Sequence, residues 1–568
     1  MAAESKDGLI TKRQQYEQTR AALELERSSF VSHWSECADF VKPRRYRQFL
    51  SDRNKGERRN QKIIDSTATF AHRTLQSGLH AGLSSPARPW FRLSVPDPDL
   101  AKFRPVKLWL HDVTQRMLSV FLKSNLYTAL PTVYGDMAAF GTAAMAVLAD
   151  DKELFRCYPY PVNSFALGIS DRQTVDTFTR ESQMTVRQVV AKYGRVEGSR
   201  EIDWSKLSKT VKSLWERGQY EAPVDVCWIV APNPDADAEK LGSKYLPWLS
   251  CHFEKGTDEA KLLKESGFNE FPILAPRWDV VAEDIYATEW PASIALGDIK
   301  ALQIMTKRKA QGVEKMLNPP LQAPVHLKNQ KVSLLAGDVT FADMLQQQQG
   351  IRPIHEVQMP VNEIRVDIED VRNIIRRAFY EDLFLMLAMT DRREITATEI
   401  EERHEEKLLT LGPVLERSND ELHEPLIDRC YPMLDRAGLI PPPPPDLEGV
   451  ELKVEYLSLM SQAQKLVGVV GLDRFVRSVA PLVEAYPQAR EKLNPYRIID
   501  EYAEAYGVNP ELVLPDEEAE AAVQAQREAA MEAQRAETAA VTARGAKDLS
   551  QAQAGGRNVL EQIMEGAG

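Results

Sequence analysis

Cysteine is scarce in this sequence, and what there is does not cluster. Cys37, Cys157, Cys227, Cys251 and Cys430 are spread over 568 residues, and no two stand at C-x-x-C spacing. That excludes a zinc ribbon or a thioredoxin-like redox centre; scattered thiols in odd number read as buried free cysteines of a reducing compartment. Long apolar runs are missing too. Stretches such as Leu383 to Met389 fall far below the roughly 20 residues that cross a bilayer. The opening MAAESKDGLITKRQQ lacks the apolar core of a secretion signal. The expectation is a soluble protein made and kept in the cytoplasm, or in a particle assembled there, with no membrane partner.

Positive charge is short as well: 71 Lys and Arg stand against 83 Asp and Glu, a net charge of −12. A general nucleic-acid coat would be basic. An acidic chain is still compatible with a surface past which DNA slides without sticking.

Signatures of catalysis are absent from the chain. Its nine histidines do not fall at ligand spacings, and there is no phosphate-binding P-loop and no G-x-S-x-G elbow. A zinc protease needs H-E-x-x-H on one helical face, but after His404-Glu405-Glu406-Lys407 comes Leu408 where the second histidine would stand. The expectation is no enzyme, no cofactor and no metal. A metal-dependent nuclease or protease would need a carboxylate or histidine cluster assembled only in space.

What is present is ample apolar material, 43% of residues, enough for two to four domains. Helices are expected at 12–41, 66–83, 105–124 and 129–140. Short strands follow at 143–148 and 154–158, with a hairpin around Ser170 to Gln173. A capping box at Thr185 and Gln188 opens a brief helix, and 223–231 and 244–253 read as further strands. Two long helices, 291–317 and 362–388, flank 318–361, which carries Gln346–Gly350 as QQQQG, either a partner-binding patch or a flexible loop. Thr396 to Glu399 is another capping box, and its helix is expected to bend at Gly412-Pro413. Pro441 to Pro445 make a stiff spacer at a domain boundary. The tail from 515, with ten acids against five bases, is either a single helix or disordered. The overall expectation is a mixed α+β chain, mainly helical.

Two basic features stand out against the acidic whole. Residues 42–62 carry nine Lys or Arg and two acids, a local net of +7, read as solvated loop or as contact with nucleic acid or an acidic neighbouring subunit. The second is a short loop at 389–396 that breaks two helices and holds Arg392 and Arg393 between Asp391 and Glu394. So balanced a loop grips phosphates weakly, which suits transient contact with moving DNA.

Six stretches carry a resemblance: SGLHAGLSSPARPWFRL (77–93), AAFGTAAM (138–145), EFPILAPRWDVVAEDIYATEWPASIALGDIKALQ (270–303), EKMLNPPLQAP (314–324), RRAFYEDLFLML (376–387) and TATEIEERHEEKLLTLGPVLERSNDELHEPLIDR (396–429). In this order and spacing the chain, from about 10 to 480, resembles the head-to-tail connecting, or portal, proteins of short-tailed bacteriophages (podoviruses). Glu289-Trp290-Pro291 departs from the Gly-Arg-small turn expected before the first long helix. The resemblance implies a portal fold of wing, stem, clip and crown that forms a dodecameric ring at one capsid vertex. It implies that 1–290 is the wing, 291–317 and 362–388 the stem helices, 318–361 the clip and 389–396 the tunnel loop. The bent wing helix would be 397–435, the Pro-rich linker 436–445, and the crown with its helical extension 446–568.

The implied function is a channel for packaging and ejecting double-stranded DNA, without sequence preference. Implied partners are the large terminase, scaffolding and major capsid proteins, and then a tail adaptor. Arg392 and Arg393 would be the tunnel-loop contacts, and Lys307, Arg308 and Lys309 candidate stem contacts, with solvated or inter-subunit charge the plainer account of that triplet. An internal virion or scaffolding protein is the alternative from another class.

Overall fold

The structure, a computed structural model, describes residues 11–45, 60–195, 201–257, 260–281, 283–319, 321–322, 352–353, 359–384, 411–447, 449–450, 452–457 and 475–482. It also describes 485–486, 488, 492–505, 513, 516–551, 553–554 and 557–558. Two compact units result. One comprises Met1–Arg92, Val113–Pro442 and Tyr456–Ser461; the other comprises Leu93–Asp112, Pro443–Glu455 and Gln462–Gly568. The boundary at Pro442 falls inside the proline run, where a stiff spacer was expected.

The first unit starts with helices α1 (Lys12–Phe40) and α2 (Thr67–Leu83). After the chain segment of α3 (Arg104–Lys123) comes α4 (Leu126–Phe140), three residues longer at its start than expected and with Pro131 inside it. Strands β1 (Ala144–Asp150) and β2 (Leu154–Tyr160) form a hairpin; β3 (Phe165–Ile169) and β4 (Val175–Thr185) form another, turning at Ser170–Gln173 as expected. The capping box at Thr185 and Gln188 is made in both directions and opens α5 (Val186–Val189), which runs into a π turn at Val190–Gly194. β5 (Pro223–Pro232), β6 (Trp248–Glu254) and β7 (Lys264–Phe268) complete an antiparallel five-stranded sheet in the order β3-β4-β5-β6-β7. The expected start of β6 at 244 is instead a 3-10 turn, Ser243–Tyr245. β8 (Ile273–Leu274) pairs with the free side of β1.

Large aromatic side chains fill the core of this unit. Trp34, Phe30 and Tyr286 pack with ring centroids 5.1–5.6 Å apart, and Trp90, Phe91, Phe121 and Phe155 make a second group. Gly141 joins α4 to β1 at φ +75, and a Cβ there would lie 2.6 Å from the Ala287 methyl and 2.8 Å from the Trp290 ring. Gly438 has a similar φ of +68 with nothing within 4 Å. Gly141→Ala should therefore cost about 2–4 kcal/mol in thermal unfolding, combining backbone strain with overpacking, against about 1 kcal/mol for Gly438→Ala. Equal costs would refute the packing half of that account.

The first long helix, α6 (Pro291–Leu317), has the expected bounds: Pro291 sits at its first position, and Asn318 caps its end ahead of the next proline. Trp290, at the departure from the expected turn, is extended, buried, and donates from its indole N–H to the Ala139 carbonyl at 3.0 Å. The second, α7 (Val361–Ala378), is broken by a turn at Phe379-Tyr380; residues 381–384 are helical again, and 385–388 lie outside the described residues. Tyr380 takes φ +53, and the chain turns so that Phe379, Leu383 and Phe384 are buried. The Phe384 ring lies where any side chain on Gly78 of α2 would be. Packing against α2 thus outweighs helical periodicity at Phe379-Tyr380.

Residues 411–418 are helical, and a π turn at Asn419–His423 leads into α8 (Glu424–Arg436); the helix leading up to the expected bend at Gly412-Pro413 lies outside the described residues. In the second unit the tail is a helix, α9 (Asp516–Gln551), exposed along nearly all its described length. No described helix is long and apolar enough to cross a membrane.

Candidate nucleic-acid interface

α6 and α7 form an antiparallel pair. At one end Leu321 and Gln322 ladder with Pro353 and Arg352, and Gly312 of α6 meets Met359 just before α7. At the other end both helices reach Asp65. Gln303 of α6, 6% exposed, accepts from the Ile64 and Asp65 amides at 2.7 and 2.8 Å and donates to the Asp65 carbonyl at 3.0 Å. Arg372 of α7 donates to the Asp65 carboxylate from Nε at 3.0 Å and Nη2 at 2.7 Å. Burial pushes the Asp65 carboxyl up, but its bonds from Thr67 and Arg372 outweigh that and hold it below the usual range. Gln303 and Arg372 thus tie the hairpin to the loop before α2.

The sequence-selected cations Lys307, Arg308 and Lys309 lie beyond this tie. The first half of α6 is buried through Ala292, Ala295, Leu296, Ile299 and Leu302; from Ile304 onward it is largely exposed. Lys307 and Arg308 are exposed and Lys309 is half-buried, and none has an ion-pair partner among the described residues. With about 3.6 residues per turn, three consecutive side chains fan over more than half the helix circumference. They cannot all address one surface. Arg392, Arg393, the loop 389–396, His404, the capping box at Thr396 and the QQQQG patch lie outside the described residues.

Part of the basic run 42–62 has a structural role. Lys42 and Arg45 both bind Asp136, at 2.8 Å each, and Lys62 binds Asp39. The Asp136 side chain is 2% exposed, the only charged residue of the apolar helix α4. A lone carboxylate in such a helix was the signal that could have revealed this pairing in the sequence, since a buried charge needs a partner. Gln303 and Asp65 carried no comparable mark. Arg44 is exposed, and Arg47, Arg53, Lys55, Arg58 and Arg59 lie outside the described residues. Among the described residues no three His, Cys, Asp or Glu side chains group as metal ligands would.

Residues 13–514 match the family described as bacteriophage head to tail connecting protein. The chain is 45% identical over 548 residues, 96% of its length, to the portal protein of Salmonella phage epsilon15, covering 97% of that protein. It is 42% identical over 493 residues to the probable portal protein of Bordetella phage BPP-1, covering 87% of each chain. On a match of this extent, the chain belongs to the bacteriophage head-to-tail connecting, or portal, protein family.

Proposed function

We propose that copies of this chain assemble into a closed ring, twelve by the family resemblance, at one vertex of a phage capsid. The ring is a conduit through which double-stranded DNA is packaged and later ejected. It nucleates assembly with scaffolding and major capsid proteins in the host cytoplasm, docks the large terminase and afterwards a tail adaptor, and itself hydrolyses nothing. In this reading 1–290 is the wing, α6 and α7 are the stem, 318–361 the clip, 389–396 the tunnel loop, 397–435 the bent wing helix and 446–568 the crown. Arg392 and Arg393 touch passing DNA from the tunnel loop, with stem contacts drawn from Lys307, Arg308 and Lys309.

One structural observation carries the ring. The α6–α7 pair leaves Ile294, Ile304, Val366 and Ile374 each 51–59% exposed. Four large apolar side chains on one helical hairpin are what a neighbouring copy would cover.

Negative-stain microscopy with light scattering on the purified chain tests it. Rings of about twelve subunits with a central hole wide enough for duplex DNA are expected. Arg392→Ala with Arg393→Ala should then leave the rings intact and lower DNA packaged per particle. A monodisperse monomer at every salt and protein concentration would sink the conduit and favour a scaffolding or internal virion protein.

A further inference from the structure

The five-stranded sheet sets Arg180 of β4 opposite Trp228 of β5, Trp228 opposite His252 of β6, and His252 opposite Lys264 of β7. Opposed residues of antiparallel strands share a face, and neighbouring strands lie about 4.8 Å apart, so this row spans about 14 Å. The π turn after α5 brings Lys192 and Tyr193 over it, with the Tyr193 ring 5.5 Å from the His252 ring. An inserted π turn re-aims the side chains that follow it. Trp228 and His252 stack at 5.6 Å with planes 7° apart, and the Arg180 guanidinium lies 4.0 Å over the Tyr160 ring. The aromatic groups form the floor, and Lys192 and Lys264 are exposed above it.

The charge on this face is uncompensated. Among the described residues Arg180, Lys192 and Lys264 have no ion-pair partner, although the chain carries twelve more acids than bases. Partial desolvation over the aromatic floor, followed by the charges of Lys264 and Arg180, holds the Lys192 ammonium below its usual range. The next carboxylate along β6 on this face, Glu254, is buried and accepts from the Ser208 amide at 3.0 Å. Arg180 Nε and His252 Nδ1 are buried with no hydrogen-bond partner, whereas buried polar atoms are nearly always matched. The face is short of acceptors and of negative charge together.

We propose that the row Arg180–Trp228–His252–Lys264, with Lys192 above it, is a contact strip for the phosphate backbone of a nucleic-acid strand, separate from the stem and tunnel-loop positions. Lys192 and Lys264 take the phosphate oxygens, and Arg180, flat on Tyr160, supplies charge from beneath. Length favours a backbone over a small anion. The phosphate spacing of a duplex strand, about 3.4 Å, is measured along its axis and the strand winds as it rises, so a straight row of about 14 Å faces about two or three phosphates. The near-complete burial of Trp228 and Tyr193 removes them as stacking platforms, so the contact reads no base sequence. The inference rests on the reading of the chain as a DNA-handling protein, but not on ring formation.

The test is fluorescence anisotropy of the full chain with a labelled duplex of about 20 base pairs, titrated over salt, comparing wild type with Lys192→Ala/Lys264→Ala. Each phosphate contact adds about 0.9 to the log–log salt slope, so the variant should bind more weakly at low salt and its slope should flatten by about 2. An unchanged slope and affinity overturns the strip. So does a glutamate 20-mer that binds as well as the duplex and loses as much in the variant, because the occupant is then an acidic protein segment. Lys192→Gln/Lys264→Gln, which keeps the side-chain length, must behave as the alanine variant does; wild-type binding by it also overturns the strip. Microscopy of the same samples separates the two readings. Normal rings with an unchanged slope remove only the strip, whereas a persistent monomer whose slope flattens as expected removes the ring and leaves the strip.

Discussion

Lowering the pH from 7 to 5 should cost the fold about 6 kcal/mol, on the order of a typical domain's whole stability. Three histidines are responsible, His72 and His423 buried and His252 half-buried. His72 donates from Nε2 to the Gly135 carbonyl at 2.7 Å, and burial lowers its pKa to about 4. His252 is lowered to about 3 by burial and then by Lys192 and Lys264. His423, between the Tyr134 hydroxyl at 2.8 Å and the Asn419 side chain at 2.9 Å, is lowered to about 3 by burial.

In each case the folded pKa lies below the ordinary value of 6.5. The unfolded chain therefore takes up protons that the folded chain refuses. The contribution is fully present above 6.5 and is lost as pH falls from there through 4 to 3. At pH 5 each site costs about 2 kcal/mol. Differential scanning calorimetry at pH 7, 6 and 5 should show Tm falling ever more steeply. His72→Gln, which keeps a donor for the Gly135 carbonyl but cannot titrate, should remove about a third of the loss. A Tm flat between pH 7 and 5 would show that these rings are protonated in the folded state.

Deleting Glu421 from its pair with Arg277 should cost about 3–5 kcal/mol, because Arg277 is left buried and charged. The side chain of Arg277 is 4% exposed, and Nη2 meets Glu421 Oε1 at 2.6 Å. Nε adds contacts at 3.1 and 3.2 Å, the Arg277 amide donates to Oε2 at 2.8 Å, and Nη2 reaches the Gln173 carbonyl at 3.0 Å. Glu421 belongs to the π turn before α8, so the pair fixes that turn against the chain entering from β8. Glu421→Ala should lower the unfolding free energy by the stated amount and Arg277→Met by less, since Glu421 is half-buried and keeps Arg417 at 3.4 Å, with hydrogen exchange accelerated at 419–423 in both. Arg436→Ala, which breaks a pair with Glu270 whose arginine is 48% exposed, should cost under about 1 kcal/mol. Similar costs for both would mean that burial of Arg277 does not govern the effect.

Local chemistry was legible in the sequence where it is self-contained. Pro291 and Asn318-Pro319 bound α6, and Thr185 with Gln188 start α5, because a cap or a stop needs only neighbours. The break after α7 at Phe379-Tyr380 was not legible. Ile364 through Leu383 keep a helical period, and only the burial of Phe379 and Phe384 against α2 makes a left-handed Tyr380 worth its strain. The interface residues divide the same way. Lys307, Arg308 and Lys309 could be picked as a basic triplet, but their outward fan follows only once α6 is known to be half-buried. The Arg180 to Lys264 row needs the register of four strands, and the loop with Arg392 and Arg393 lies outside the described residues.

The Arg277–Glu421 contact also sets an order of events during synthesis. When Arg277 leaves the ribosome, its partner follows 144 residues behind it. At about 5–20 residues per second that is a wait of about 7–30 s. Through that interval the guanidinium site beside β8 holds an unpaired cation, and the nascent N-terminal part cannot close around it. The first unit should lock only as the segment leading into α8 emerges, which makes late-synthesised residues the trigger for completing an early-synthesised core.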